Sequence, residues 1–364
     1  MLSSVSFSVV AIFLFVTLLQ PSALQAAISS DNGAVDKPSV NDLPSKYLGE
    51  FEPSIGFYQS LELAKKSLLY SKQSKYQFIE VHQSKFYGKV LVLDGVIQLT
   101  ERDADSYNEM MAHIPMFQHR NPKRVLVIGG GDGYVLKEVL KHQSVEHVDH
   151  VDLDEDVIRT CETYFPQWGD AWKDPRAHLH ICDGAQFVRD TPDQFYDVII
   201  QDSSDPWTVD DDGVMNPLPS GVLYEEDHIC QLHRILKPNG ILNIQGESFN
   251  LPTSLGEIIS WRRNMEHCGF TRTRYGSISI SSYPTGQIGL LLAEKDAYAA
   301  SDYPSILTRY RNMVKAGKKT TYYHPPLQKG CFLLPLWVHD TIYGEEDSSD
   351  LLCKTNEIYL TKES

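Results

Sequence analysis

Between Val125 and Gln245, short branched apolar runs alternate with stretches whose apolar positions recur every three or four residues. The runs predict fully buried parallel strands and the spaced stretches predict amphipathic helices. The strands are Val125–Ile128, a run ending at Val151–Asp154, Ala177–Ile181, Asp197–Ile200 and Gly240–Gln245. The helices between them are Val135–His142, Val157–Phe165, Ala185–Arg189 and Tyr224–Leu236. Repeated strand–helix pairs imply an α/β protein with a doubly wound parallel sheet and right-handed crossovers. Such sheets bind ligands at the carboxyl ends of their strands.

Upstream the pattern shortens. Tyr76–His82, Gly88–Leu93 and Val96–Thr100 read as strands, and Asp94-Gly95 is a hairpin turn signal between the last two. Leu61–Tyr70 carries helical spacing. Residues 50–104 therefore predict a small N-terminal β-rich domain. A helix at Asp105–Gln118 opens the larger domain, residues 105–345. The stretch Asp210–Ser220 interrupts the alternation with acidic, Gly- and Pro-bearing sequence, either a lid beside the site or a solvated insertion. Lys315–Thr321 is basic and exposed, Tyr322–Leu336 a final packed element, and residues 346–364 a tail.

The first 27 residues form a signal-like segment. Val5–Leu19 is apolar and uncharged, and the small residues before Ala26 and Ala27 suit a cleavage site. The run is short for a spanning helix, although an uncleaved anchor is the alternative. Secretory-route entry follows (secreted, endoplasmic reticulum or organelle); the location is cytoplasmic if the segment is not used. Residues 28–49 read as a linker, and no membrane span is expected in the mature chain.

Composition changes the picture little: 364 residues, 42% hydrophobic and 22% charged, an ordinary globular balance. The net charge of −15 argues against nucleic acid and suits cationic small molecules. The six cysteines form no CxxC pair and no metal-ligand spacing, so no metal is expected and no disulfide is demanded.

The chemistry gathers after the strands. Gly129-Gly130-Gly131-Asp132-Gly133 follows the first of them, where a glycine turn and a helix start favour a nucleotide or nucleoside. Asp132 repels phosphate, so the guest should carry a hydroxyl or a positive charge. Asp152 ends the second strand, about 20 residues on, where an acid grips a ribose diol. Asp183-Gly184 follows the third strand; Asp183 either takes the exocyclic amine of adenine or caps a helix. Asp202-Ser203-Ser204-Asp205-Pro206 follows the fourth strand. A primary amine arrives as an ammonium, with a pKa of about 10.4, and must lose a proton to attack. One of these carboxylates can take that proton while the other holds charge. Tyr107 and Tyr283 are either core residues or the walls of an amine pocket.

With Tyr87–Gln98, Thr100–Asp103, the Gly129–Gly133 turn, Asp202–Pro206, Gln245-Gly246-Glu247 and Tyr283–Gly289, the chain resembles the spermidine synthases, the aminopropyltransferase family of polyamine biosynthesis. The resemblance covers roughly Leu61 to Asp340. It implies a Rossmann-like, methyltransferase-type doubly wound sheet behind a small N-terminal β domain, assembled as a homodimer or homotetramer. The cosubstrate it implies is decarboxylated S-adenosylmethionine, with no bound cofactor. Gln77, Asn108, Asp132, Asp152, Asp183 and Gly184 would hold that cosubstrate, Asp132 on its aminopropyl ammonium. Asp202 would be the general base, and Gln98, Tyr107, Asp202, Asp205 and Tyr283 would line the pocket for a diamine, putrescine. Longer amines (thermospermine or spermine synthesis), amine N-methylation from S-adenosylmethionine, and non-catalytic polyamine binding are the alternatives. The chain departs from the family pattern at Asn108 (usually Gln), Asp152 (usually Glu), Tyr134 (usually Gly) and Trp207-Thr208-Val209 (usually a small Gly/Pro stretch).

Overall fold

The computed structural model describes residues 46–344, apart from 53–54 and 210–214. The signal-like segment, the tail at 346–364 and most of the expected linker lie outside the described residues. Five strands open the described chain: β1 (Tyr47–Glu52), β2 (Phe57–Gln73), β3 (Phe78–Ser84), β4 (Lys89–Leu93) and β5 (Val96–Thr100). They pair in sequence order as an antiparallel meander. Asp94 and Gly95 join β4 to β5 with φ of 50° and 85°, the paired left-handed conformation a type I′ turn requires.

The helix expected over Leu61–Tyr70 is absent, because that stretch lies inside β2. Lys66 has φ 56°, and the pairing with β3 shifts register between Leu63 and Leu68 and again before Tyr70. Each shift moves the apolar set to the other face. The summed spacing of Leu61, Leu63 and Leu68 then imitates a helical period.

Helix α1 (Ala104–Gln118) leads into the second sheet. The chain continues through β6 (Arg124–Gly129), α2 (Tyr134–Val139), β7 (His147–Asp152), α3 (Glu155–Tyr164) and α4 (Pro166–Gly169). Next come β8 (Ala177–Ile181), α5 (Gly184–Asp190), β9 (Tyr196–Asp202) and a two-stranded hairpin of β10 (Trp207–Val209) and β11 (Met215–Pro217). It closes with α6 (Glu226–Ile235), β12 (Leu236–Gly246), α7 (Pro252–His267), β13 (Arg272–Ser279), β14 (Gln287–Glu294), α8 (Tyr303–Lys315), α9 (Pro325–Gly330) and α10 (Leu336–Tyr343). The tip of the expected acidic insertion, residues 210–214, lies outside the described residues.

The large sheet has the order β13-β14-β12-β9-β6-β7-β8. Strands β12, β9, β6, β7 and β8 are parallel, while β14 runs antiparallel to both β12 and β13. That order, with one reversed strand inserted near the edge, is the Rossmann-like, methyltransferase-type arrangement. The sheet is thus mixed and not wholly parallel. No helix crosses over between β13 and β14; a tight turn with Thr285 at φ 63° and Gly286 at φ 71° sends the chain straight back.

Strand β6 shows how burial fixes register. Val125 and Val127 enter one core with Met110, Met111 and Phe117 of α1 and Leu136 of α2. Leu126 and Ile128 enter the other core with Ile229 and Leu232 of α6 and Ile258 of α7. Each such side chain contributes about 1.5–3 kcal/mol on burial, and a one-residue slip would exchange the two faces. A third cluster joins the sheets. It sets Ile79, Val81, Leu91 and Leu99 against Tyr134, Val157, Cys161, Phe165 and Trp168.

One covalent link was not demanded by the cysteine spacing. Cys230 of α6 and Cys268, at the C-cap of α7, form a disulfide across 38 residues of chain. Helices α6 and α7 lie side by side on one face of the sheet, a neighbourhood invisible in linear spacing. Closing a loop of that length stabilises the fold by about 4 kcal/mol in the chain-entropy account.

Candidate active site

The site grows from the carboxyl end of β6. Gly129 and Gly130 have φ of 76° and 67°, the left-handed region that suits glycine. A Cβ on Gly129 would lie 2.2 Å from the carbonyl oxygen of Asp202, and one on Gly130 would lie 2.8 Å from its carboxylate. The glycines let the turn press against the end of β9, where Gly130 N–H donates to the Asp202 carbonyl at 2.8 Å. A Cβ on Gly131 would meet the Asp152 carboxylate at 2.8 Å. The turn therefore sits between the two acids that end β7 and β9. Gly184 needs its missing side chain too, since Ile128 Cγ2 lies 2.9 Å from where a Cβ would be.

Asp132 sits inside the turn and accepts the Tyr134 N–H at 2.6 Å. Asp152 accepts the Asp154 N–H at 2.9 Å. Asp183 caps α5, accepting N–H from Ala185 and Gln186 with one oxygen, Oδ1. The capping alternative is thus realised at Oδ1. Gln77 reaches across from the first sheet and donates to Asp154 Oδ2 at 3.1 Å, beside Ser74 Oγ at 2.6 Å on the same oxygen. Asn108 turns its amide onto its own helix, donating to the Ala104 carbonyl at 3.0 Å.

Asp202 Oδ1 accepts the hydroxyl of Tyr107 from α1 at 2.6 Å. The rings of Tyr107 and Tyr283 stand 6.2 Å apart and tilted by 54°. The Tyr283 hydroxyl donates to the Gln98 carbonyl at 2.7 Å. Asp205 Oδ1 accepts from Gln245 Nε2 at 3.0 Å. Asp103 locks the loop before Tyr283, accepting from Ser281 Oγ, Ser282 N and Ser282 Oγ. Tyr107 from α1, Tyr283 from the β13–β14 turn, and Asp202 and Asp205 at and after the end of β9 thus converge, with Gln98 of β5 and Gln245 of β12 beside them.

Burial dominates the electrostatics. It pushes Asp132 up to about 8, helped by Asp202 and Asp152 nearby, and Asp152 up to about 7. Burial raises Asp202 to about 6, opposed by the Tyr107 hydrogen bond, and raises Asp205 as well. The Tyr107 and Tyr283 hydroxyls are held well above 10 by burial and then by Asp202, so both remain donors. Carboxyls crowded in a desolvated cleft resist ionising, and a cationic guest relieves that cost.

Sequence reasoning missed three contributors. Glu50 of β1 is partly buried, accepts the Ile97 N–H and is pushed to about 8 by desolvation, with Asp205 adding to the rise. Glu257 of α7 is pushed to about 8 by burial and by Asp205. Gln245 was visible only as part of a motif and holds Asp205 in place. Glu50 and Glu257 occupy elements outside the strand ends, so position along the sheet gave no signal for them. Among the described residues, no three His, Cys, Asp or Glu side chains are grouped to hold a metal ion.

The raised acids set a sign for pH. The folded, ligand-free chain holds protons that the unfolded chain gives up near pH 4, so its stability falls as pH rises from about 4 and levels off near 8. Thermal melts of ligand-free protein are expected to drop across that window, and a polyamine is expected to restore more stability at the alkaline end. A flat or rising melting temperature would contradict the assignment.

Residues 104–302 match the sequence profile described as the spermine/spermidine synthase domain, and residues 51–101 that of the spermidine synthase tetramerisation domain. The chain is 39% identical over 284 residues to a spermidine synthase of Schizosaccharomyces pombe, covering 78% of this chain and 90% of that one. It is 37% identical over 287 residues to a spermine synthase of Arabidopsis thaliana, covering 78% and 75%. A crystal structure of a spermidine synthase with the transition-state analogue AdoDATO superposes with a TM-score of 0.72 at 30% identity, covering 84% of this chain and 97% of that one.

Proposed function

The chain belongs to the spermine/spermidine synthase family, and on that premise we propose that it transfers the aminopropyl group of decarboxylated S-adenosylmethionine to putrescine. The products are spermidine and methylthioadenosine. The observation that carries the reading is the Tyr107–Asp202 hydrogen bond set beside Asp205 and Tyr283, at the mouth of the glycine turn. Asp202 takes a proton from the attacking ammonium. The freed nitrogen lone pair forms a bond to the methylene carbon attached to the sulfonium. The C–S bond breaks with its pair on sulfur, and neutral methylthioadenosine leaves. One proton is released per turnover through Asp202. The sulfonium is already activated, so the chain supplies positioning and a base.

Asp132 holds the aminopropyl ammonium in this reading, Asp152 the ribose, and Asp183 with Gly184 the adenine. Gln77 and Asn108 stand at the edge of that subsite, and Gln98 and Asp205 face the acceptor. Glu50 and Glu257 are further acids near Asp205 that burial holds protonated and a bound polycation would ionise, which leaves room for spermidine as a second acceptor. Product identification with putrescine, spermidine and cadaverine in competition decides between them. Spermidine and methylthioadenosine in equal amounts are expected; consumption of spermidine alone would overturn putrescine.

The same sheet supports self-association. Residues 51–101 match a tetramerisation domain, and Leu68 and Phe86 stand 52% and 62% exposed. A homodimer or homotetramer burying them is the assembly we propose. Secretory-route entry is supported by the Val5–Leu19 run and by the Cys230–Cys268 disulfide, which persists in oxidising compartments. N-terminal sequencing of the protein isolated from its own cells is expected to begin near Ala27. A chain beginning at Met1 and recovered from the cytosol would refute that route.

A further inference from the structure

Behind the glycine turn, and outside every role assigned above, lies a buried histidine. His150 of β7 is fully inaccessible to solvent. Its Nε2 is 2.6 Å from the Gly129 carbonyl oxygen, and its Nδ1 is 2.7 Å from Trp172 Nε1. A carbonyl only accepts and an indole N–H only donates, so the contacts fix the ring as the neutral Nε2–H tautomer. The two rings are nearly coplanar, at 7°. Trp172 is placed by the turn itself: a Cβ on Gly133 would lie 2.9 Å from its ring.

The turn bonds onward as well. Gly129 offers its carbonyl to His150, and the next residue, Gly130, donates its N–H to the Asp202 carbonyl at 2.8 Å. Gly129 is also the register partner of Asp202 across β6 and β9. One continuous path therefore runs from Trp172 through His150 and the Gly129–Gly130 peptide to the main chain of Asp202. Both glycines have left-handed φ, a conformation with many alternatives unless something selects it.

We propose that His150, with its tautomer set by Trp172, is a positioning residue that fixes the Gly129–Gly130 peptide and through it the carboxylate of Asp202. The proposal rests on Asp202 acting as the base. His150 touches no reacting atom. Its protonation would remove the acceptor that Trp172 needs, and burial together with His180 holds the ring neutral, with its pKa lowered to about 4. Displacing a reacting group by about 1 Å costs on the order of 100-fold in rate.

The test compares three substitutions in the full chain with Asp202→Asn alongside. His150→Leu keeps the bulk and removes the donor; it is expected to lower kcat at least about tenfold, with the KM for putrescine changed less than about threefold. His150→Gln retains an N–H that can reach the Gly129 carbonyl and is expected to recover most of that loss. Trp172→Phe removes the donor to Nδ1 and leaves the Gly129 carbonyl alone to hold the tautomer, so kcat is expected to fall less than in His150→Leu. Nitrogen-15 spectra of the imidazoles read the tautomer without any turnover: one protonated Nε2 and one bare Nδ1 are expected in the wild type. Wild-type kcat in a folded His150→Leu protein overturns the proposal. So does a His150→Gln protein as slow as the Leu variant. If His150→Leu does not fold, a wild-type spectrum with the proton on Nδ1 overturns it as well. Near-normal turnover in Asp202→Asn removes the base assignment instead, and the nitrogen spectra still report on His150.

Discussion

Asp202→Asn is expected to bind decarboxylated S-adenosylmethionine within about threefold of wild type and to lose about 10²–10⁴-fold in kcat. The asymmetry follows from the geometry. An asparagine at 202 keeps an oxygen for the Tyr107 hydroxyl, which now bonds Oδ1 at 2.6 Å, and it leaves the main-chain bond from Gly130 untouched. Only proton acceptance is lost. The pH profile supplies a second readout. Burial puts the Asp202 carboxyl at about 6 without ligand, so kcat/KM for the wild type should rise with pH through that region. The limb should vanish in the variant. Turnover within about tenfold of wild type would remove Asp202 as the base.

Asp132→Asn is expected to act on binding. A hydrogen bond to a charged group contributes about 1.5–3 kcal/mol, so affinity for the decarboxylated cosubstrate should fall roughly 10- to 150-fold. The same change should narrow discrimination against S-adenosylmethionine. The intact molecule brings a carboxylate toward the buried Asp132, where burial and Asp202 already oppose more negative charge. Calorimetry of wild type and variant with both molecules measures the two effects. Equal wild-type affinity for the two molecules would reopen the methyl-transfer reading and remove Asp132 as the ammonium ligand.

The large sheet was legible wherever burial wrote a period into the chain. Strands β6 to β9 and β12 lie within a few residues of their expected places; β6 and β9 carry continuous buried apolar runs, and the others follow from the strand–helix alternation around them. The acids at their carboxyl ends were legible for the same reason. Strands β13 and β14 escaped, since an antiparallel pair needs no helix between its members and breaks the alternation that revealed the others. Strand β2 was misread because register shifts scramble its period. Glu50 and Glu257 escaped because no local pattern marks an acid delivered from a neighbouring sheet or helix. The Cys230–Cys268 pair escaped because helix adjacency is decided by the sheet order.

Tyr134 departs from the pattern the resemblance implied, and the structure gives it a purpose. Its ring stacks on Trp168 at 4.8 Å, and its hydroxyl donates to Asp105 in the first turn of α1. Tyr134 also belongs to the cluster that packs against Ile79, Val81, Leu91 and Leu99 of the first sheet. The first residue of the helix that follows the glycine turn is therefore part of the seam between the two sheets. In a lineage, such a residue makes the two halves co-inherited. A first sheet not shaped to Tyr134 would lose this packing, so chimeras of this chain are expected to melt at lower temperature unless Tyr134, Trp168 and the first sheet travel together.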